Sequence, residues 1–260
     1  MTRAPAMTGT IDRRLLINYR IDPRVLEAIV PSPFRPQLVD GVGIAGICLI
    51  RLGKLRPFGM PASFGVTTEN AAHRIAVEWD GPGRPCRGVY IPRRDTSSLL
   101  TVLLGGRLFP GAHHRARFQV GETTERVEVA YRSLDGMVGV AASAKRVSDF
   151  GAGSVFNSLE EASSFFEGSP LGYSPTGHAG CFEGLELHTS AWHVEPLEVE
   201  RVESSFFADT ATFPPGSIEL DSALLMHDIP VVWRAREDLQ SRPIGIPTPA
   251  RPMSEAPQCE

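Results

Sequence analysis

The segment that decides the fold is CRGVYIPRRD, residues 86–95, a short apolar run that ends in two adjacent arginines. The period of two that is typical of a β-strand puts Arg93 on the face of the apolar Val89 and Ile91. Arg94 then lies on the opposite face. A strand of this kind brings a fixed positive charge to the interior of a sheet that curls on itself. The alternative is that both arginines are solvated at the mouth of the strand, as most arginines are.

A strong turn signal before this segment predicts its partner strand. The turn DGPG, residues 80–83, separates the segment from the strand-like Val66–Trp79, so the two form an antiparallel hairpin. The first strand of the hairpin carries Glu69, which the pairing brings near the arginines. Glu69 is therefore the candidate general acid or base. The alternative is an exposed or salt-bridged strand glutamate.

The rest of the chain is read as many short strands with a few capped helices. Asp22 followed by proline predicts a helix over Arg24–Val30, and the capping box SLEE predicts another from Ser158 to Phe166. A buried helix is expected over residues 96–104, ended by two glycines. A meander is expected from the strands His114–Val120, Thr124–Arg132 and Met137–Val147, and further strands are predicted at Arg14–Arg20, Val42–Leu52, Cys181–His188, Leu197–Ser204, Ser222–His227 and Val231–Arg236.

These elements predict an α+β, mostly β chain with a single folded domain over residues 11–238. Its antiparallel sheet is expected to curl into a β-barrel with a few short helices. Residues 1–10 are expected to be a disordered N-terminus. Residues 239–260 are rich in proline and poor in large apolar groups, so they are expected to form a disordered tail.

Charge and composition narrow the classes of function. The net charge of -4 gives no basic footprint for nucleic acid. The cations are 24 arginines and two lysines, so amine chemistry has only Lys54 and Lys145 as candidates. Lys54, at the end of a strand, could be a relocated reactive amine, but a solvated lysine is the alternative. Lys145 is expected to be a surface residue.

The sequence carries no cofactor or metal motif that its context supports. Residues 41–46, GVGIAG, match GxGxxG, but a strand-like run follows them instead of the helix that a dinucleotide site needs. A glycine-rich central strand is the interpretation we prefer. The four cysteines show no CxxC spacing and no zinc-like cluster with histidine. We expect no metal and no cofactor, and a cytoplasmic protein without a signal peptide or membrane segment.

Several stretches, in their order along residues 12–236, resemble the acetoacetate decarboxylase-like superfamily, and most closely its uncharacterised bacterial branch. The opening strand and short helix are similar to a YR-x-D segment that leads into a helix ending in V-P. Two further similarities lie in MPASF and in a strand with Glu, Asn and Arg. The matching stretches are Tyr19–Asp22, Val25–Pro31, Met60–Phe64, Glu69–Arg74, Trp192–Asp209 and Ile218–Arg234.

The chain departs from the decarboxylases at the opening segment. Those enzymes carry a Y-P-K-K-like segment there, one lysine of which forms the Schiff base, whereas residues 91–94 read IPRR. A guanidinium is delocalised and always protonated, so arginine cannot replace an amine nucleophile. The resemblance therefore implies the fold without the usual iminium chemistry.

Arginine is instead suited to bidentate capture of a carboxylate or an enolate. We expect a lyase-like enzyme that acts on a keto acid or a related carbonyl or carboxylate without a Schiff base. The alternative is a non-catalytic barrel that binds a small hydrophobic acid. Related barrels assemble into oligomers, so the resemblance also implies a homo-oligomer. The candidate catalytic residues are Glu69 and Lys54, and the candidate substrate-binding residues are Arg93, Arg94 and Arg74, with the choice between Arg93 and Arg94 left open.

Overall fold

The computed structural model describes residues 6–81, 83–103 and 111–241. Within these residues one sheet holds thirteen strands, and three short α-helices and one 3-10 turn, Ala62–Phe64, accompany it. The helices are α1 (Pro23–Ile29), α2 (Leu99–Leu103) and α3 (Leu159–Glu167). The strands are β1 (Met7–Ile21), β2 (Arg35–Pro36), β3 (Leu38–Val39), β4 (Val42–Pro57), β5 (Val66–Asp80), β6 (Pro85–Thr96), β7 (His113–Glu122), β8 (Arg126–Ser133), β9 (Gly139–Arg146), β10 (Leu171–Pro175), β11 (Cys181–His188), β12 (Glu195–Ser204) and β13 (Ile218–Gln240).

The sheet closes on itself in two ways. The large ring runs through β6, β7, β8, β9, β12, β13, β1, β4 and β5, and the pairing of β5 with β6 closes it. The small ring runs from β6 through β10 and β11 to β13, and returns through β1, β4 and β5. The sheet therefore curls in a ring without forming a regular barrel. The mostly β class and the closed sheet with a few short helices confirm the fold predicted from the sequence.

Strand β1 belongs to both rings, and its two faces pack in two different cores. Leu15 and Ile17 pack in one core cluster with valines of β8 and β9, and Leu16 packs in the other with Trp233. Successive residues of a strand point to opposite faces. A strand that separates two apolar interiors is therefore apolar on both faces, which explains the unbroken run LLI at residues 15–17.

The N-terminal boundary differs from the prediction. Strand β1 begins at Met7, so residues 7–10, expected to be disordered, pair with Trp233–Pro230 of β13 and reach β4 on the other side. Their backbone groups are satisfied by two neighbouring strands, which outweighs the polar, small-residue composition. At the other end β13 continues to Gln240. The predictions for residues 1–5 and 242–260 lie outside the described residues.

Local elements follow the sequence signals with two main differences. The hairpin of β5 and β6 and the meander β7–β8–β9 are confirmed, as are both predicted helix caps. One difference is that the strands predicted at Ser222–His227 and Val231–Arg236 are parts of the single strand β13.

The other difference is the helix expected to be buried over residues 96–104. Asp95 and Thr96 remain in β6, α2 begins only at Leu99, and its leucines are exposed. The predicted glycine stop at residues 105–106 lies outside the described residues.

The glycine-rich run at residues 41–46 lies at the start of β4. A Cβ at Gly46 would overlap the carbonyl oxygen of Ile17 in the paired β1, so the backbones approach closely there. The strand interpretation is thus confirmed. Among the described residues no helix is long and apolar enough to cross a membrane.

Candidate functional site

A cavity of about 300 Å³ lies inside the small ring. Much of its wall is apolar, with Ile50, Leu185 and Trp233 among the residues that form it. Among the described residues, three arginines interrupt this apolar wall, each on a different strand. They are Arg14 on β1, Arg74 on β5 and Arg94 on β6.

A β-bulge decides which arginine of the pair enters the cavity. Tyr90 pairs with Ile75 and Arg93 pairs with His73, so the two residues Ile91 and Pro92 stand opposite the single Arg74. The extra residue shifts the side-chain alternation by one position. Proline has no N–H to donate to a ladder, which suits it to this position.

The shift puts Arg94, rather than Arg93, among the cavity-lining residues with Val89 and Ile91. The Nε of Arg94 donates a hydrogen bond to the Oγ of Ser174, at 2.8 Å. Burial lowers the pKa of Arg94 to about 10. Since that value is far above neutral pH, the guanidinium is charged, and its remaining N–H groups are available to a ligand.

Arg74 is the most enclosed of the three, with only 4% of its surface exposed. It donates a hydrogen bond to the side-chain oxygen of Asn18, and its guanidinium lies over the ring of Phe166, 4.7 Å from the centroid. Burial, with a smaller contribution from the nearby Arg14, lowers its pKa to about 10. Its Nε has no hydrogen-bond partner among the residues that the structure describes.

Arg14 and Cys48 are cavity residues that the sequence reasoning missed. The Nε of Arg14 donates to the Sγ of Cys48 at 3.3 Å, and its Nη1 is buried without a partner. The signal was the pair Arg13-Arg14 inside an apolar strand. Charges at adjacent positions of a buried strand must face two different interiors, but the sequence does not tell which interior holds a cavity.

Arg93 lies on the face of β6 that is turned away from the cavity. Its Nη2 contacts Asp95 at 2.8 Å and Asp135 at 2.9 Å. Asp95 is 1% exposed, and burial raises the pKa of its carboxyl while Arg93 opposes that change. The structure thus places Arg93 in an ion-pair network rather than among the cavity-lining residues.

Glu69 also faces away from the cavity. The next residue of β5, Asn70, lines the cavity, whereas Glu69 accepts hydrogen bonds from Arg13 at 2.6 Å and from Arg51 at 3.1 Å. Arg13 is 2% exposed, so Glu69 neutralises a buried cation. This is the salt-bridged arrangement that was the alternative for Glu69 in the sequence.

Neither lysine of the sequence lines the cavity. Lys54 is exposed at a bulge of β4 in a left-handed backbone conformation, with φ of 49°. Lys145 is paired with Glu198 at 2.8 Å. Of the five candidate site residues, the structure brings Arg74 and Arg94 together and leaves Arg93, Glu69 and Lys54 outside the cavity.

The imidazoles of His113 and His188 also line the wall, and the Nε2 of His188 contacts the Oε2 of Glu186 at 2.5 Å. His113 lines the cavity, and its Nδ1 contacts the carbonyl oxygen of Gly111 at 3.1 Å. Burial, followed by the positive charge of Arg94, lowers the pKa of His113 to about 3. The ring is therefore neutral near pH 7. Within the described ranges no group of three or more histidine, cysteine or acidic side chains could hold a metal ion.

Comparison with known proteins identifies both a family and a fold. The family model DUF2071, described as an uncharacterized conserved protein, matches residues 8–224. No curated protein matches the chain. An acetoacetate decarboxylase-like enzyme from Sphingomonas wittichii RW1 is similar in structure, with a TM-score of 0.55, 14% identity and coverage of 93% of this chain and 94% of that one.

Two other solved structures give the same result. The acetoacetate decarboxylase of Legionella pneumophila has a TM-score of 0.55 and 14% identity, over 90% of this chain and 88% of that one. The enduracididine biosynthesis enzyme MppR, complexed with pyruvate, has a TM-score of 0.55 and 11% identity, over 92% and 91%. The acetoacetate decarboxylase-like fold predicted from the sequence is confirmed. At such identities the likeness concerns the fold alone.

Proposed function

Because the chain belongs to the DUF2071 family, whose description assigns no activity, we propose its function from the cavity itself. The cavity captures a small carboxylic acid, such as a 2-oxo acid, through arginine. The protein acts on this acid as a lyase-like enzyme that forms no Schiff base. Arg94, Arg74 and Arg14 are the anion-binding residues.

One observation carries this proposal: three guanidiniums line one cavity, and none of them is paired with a carboxylate in the described part of the chain. Each donates a hydrogen bond to a side chain that is not a carboxylate, namely Cys48, Asn18 or Ser174. Cations in a largely apolar wall are costly unless an opposite charge compensates them. A bound anion supplies that charge.

The chemistry that this arrangement supports is electrostatic. When a 2-oxo acid gives up a proton to a base from the carbon next to its carbonyl, negative charge develops on the carbonyl oxygen. Fixed donors aimed at that oxygen stabilise the enolate without reorganising. Lysine chemistry is not part of the proposal, since both lysines lie outside the cavity.

The choice of 2-oxo acids as the first ligands has an independent support. MppR, which shares the fold, has been crystallised with pyruvate and with a condensation product of pyruvate and imidazole 4-carboxaldehyde. A small oxo acid also fits the size of the cavity, at the lower end of the range for ligand pockets.

The test is calorimetric titration of the wild type and two variants with pyruvate and longer 2-oxo acids. Arg94→Gln removes a cavity cation, and Arg87→Gln removes an exposed cation of the same strand as the matched control. We expect wild type and Arg87→Gln to bind equally and Arg94→Gln to bind at least tenfold more weakly, because a charged hydrogen bond is lost. Equal binding by all three proteins, or by none, would refute the proposal.

A second candidate function is non-catalytic binding of a small hydrophobic acid. The state of the proton carriers favours it: His113 is neutral, His188 contacts Glu186, and Glu69 is committed to Arg13 outside the cavity. A turnover assay separates the two candidates. Product formation from a bound oxo acid, detected by proton NMR and lost in Arg94→Gln, supports the enzyme, whereas tight binding with no product supports the binder.

A further inference from the structure

The charges that reach the cavity are strongly unbalanced. Three arginines line it, and the acidic residues beside them are Asp95, which is committed to Arg93, and Glu167, which is exposed at the end of α3. Within the described residues, no carboxylate forms an ion pair with any of the three guanidiniums, which donate hydrogen bonds to Cys48, Asn18 and Ser174. A monocarboxylate pairs bidentately with one guanidinium, so its binding leaves an excess of positive charge in the wall.

The register of the strands shows that the backbone positions of the three arginines differ along the strand direction. Arg14 is opposite Ile50, two residues along the strands from the row that holds Cys48 and Arg94. Arg74 lies in the row two residues further on, beyond Arg94. Each step of two residues is about 7 Å along a strand. The backbone positions of the three arginines are therefore distributed along the cavity wall, with Arg94 in the middle row.

Each guanidinium uses only a few of its N–H donors in hydrogen bonds to the protein. Arg94 uses Nε for Ser174, and Arg14 uses Nε for Cys48, which leaves the terminal nitrogens of both for a ligand. A guanidinium has five N–H donors, so one anchoring bond orients it without saturating it. Two guanidiniums that come from different strands and are anchored to different partners can hold two anionic groups.

We propose that the physiological ligand is a dianion, a small molecule with two acidic groups or one doubly charged group, with an apolar body that packs on the aliphatic and indole side chains of the wall. The inference rests on the proposed anion-binding function and gives its ligand class. Dicarboxylates and phosphate monoesters share this chemistry. The apolar contacts come from Ile50, Leu52, Leu185, Leu187, Trp192 and Trp233.

The experiment compares matched ligands at constant ionic strength, because screening affects dianions more than monoanions. The pairs are 2-oxobutyrate with 2-oxoglutarate and hexanoate with adipate, and phenyl phosphate is the phosphate-ester probe. Calorimetry on the full chain gives each dissociation constant for wild type, Arg14→Gln and the surface control Arg87→Gln. We expect a dianion to bind the wild type about tenfold more tightly than its monoanionic partner.

The variants tell whether the preference comes from the arginines. In Arg14→Gln we expect the dianion to lose most of its advantage, because its affinity falls by a larger factor than that of the monoanion, and in Arg87→Gln we expect no change in either affinity. The relative affinities of adipate and phenyl phosphate show which kind of dianion fits. Equal affinities for mono- and dianions would overturn the dianion inference and leave the anion site standing. A preference that persists in Arg14→Gln would also overturn it, and absence of all binding would remove both proposals.

Discussion

At the scale of single residues, two adjacent arginines have opposite tasks. Arg94 enters the cavity, while Arg93 lies outside it and compensates the buried Asp95. The assignment depends on the bulge at Ile91-Pro92, which reverses the alternation of side chains. Two substitutions of the same kind at neighbouring positions should therefore have different effects.

We predict that Arg93→Gln destabilises the protein by roughly 3 kcal/mol and leaves the affinity for oxo acids unchanged. The substitution leaves the carboxylate of Asp95 buried without its cation, and breaking a buried ion pair from one side has a cost of this order. Urea denaturation measures the loss, and titration well below the unfolding midpoint measures the affinity. Arg94→Gln is the matched comparison, with weaker binding as its main effect. The reverse pattern would show that Arg93 is the cavity residue.

A second residue-scale prediction concerns acid stability. His73 is fully buried against Phe206 and Phe207, and burial, with the charge of Arg93, lowers its pKa to about 3 from 6.5. Between those two values the unfolded chain binds a proton that the native state does not. Stability therefore falls as the pH is lowered through that window.

We expect His73→Leu to remove part of this acid sensitivity. From pH 6.5 to pH 4.5 the wild type should lose about 2 kcal/mol more than the variant, by linkage. Denaturation curves at several pH values measure the difference, and the exposed His178→Leu is the control. Parallel stability profiles for wild type and His73→Leu would show that His73 is protonated as easily in the folded protein as in the unfolded chain.

At the scale of elements, the sequence predicts which neighbouring strands pair better than it predicts which face of a strand a side chain occupies. The DGPG turn gave the hairpin of β5 and β6, and the caps at Asp22 and Ser158 gave two helices, because these signals are local. The side of β6 that Arg94 occupies depends on a bulge, which is a property of two strands together. The pairing of Glu69 with Arg13 joins strands 56 residues apart, so no local pattern indicates it.

The glycine-rich start of β4 provides an element-scale prediction. A Cβ at Gly46 would overlap the backbone carbonyl of Ile17, whereas a Cβ at Gly43 would meet the flexible end of the Leu26 side chain. We expect Gly46→Ala to cost about 2–3 kcal/mol, because β1 and β4 must separate to admit the methyl group. Gly43→Ala, the matched control, should cost about 1 kcal/mol or less. Thermal denaturation measures both, and equal costs would contradict the close approach of the two strands.

At the scale of the whole molecule, the two rings share β6, β13, β1, β4 and β5. The cavity is thus built on strands whose other faces form the core of the large ring. Loss of one ring would expose both faces of β1, where Leu15 and Leu16 are fully buried in different clusters. The cation-bearing wall is therefore held rigid by a core that takes no part in binding.

We predict, as a consequence, that both rings unfold in one cooperative transition. Tryptophans report on each core separately, since Trp79 lies in the first cluster and Trp233 in the second. In a variant with Trp192→Phe and Trp233→Phe only Trp79 fluoresces, and in one with Trp79→Phe and Trp192→Phe only Trp233 does. The unfolding of each variant in urea is followed by fluorescence and by far-ultraviolet circular dichroism. Because the two curves are compared within one variant, the effect of its substitutions on stability is the same for both curves. Coincident curves within each variant are expected for a single unit. A Trp233 signal that is lost before the dichroism would show that the small ring opens alone, and the shared strands would then fail to couple the cavity to the core.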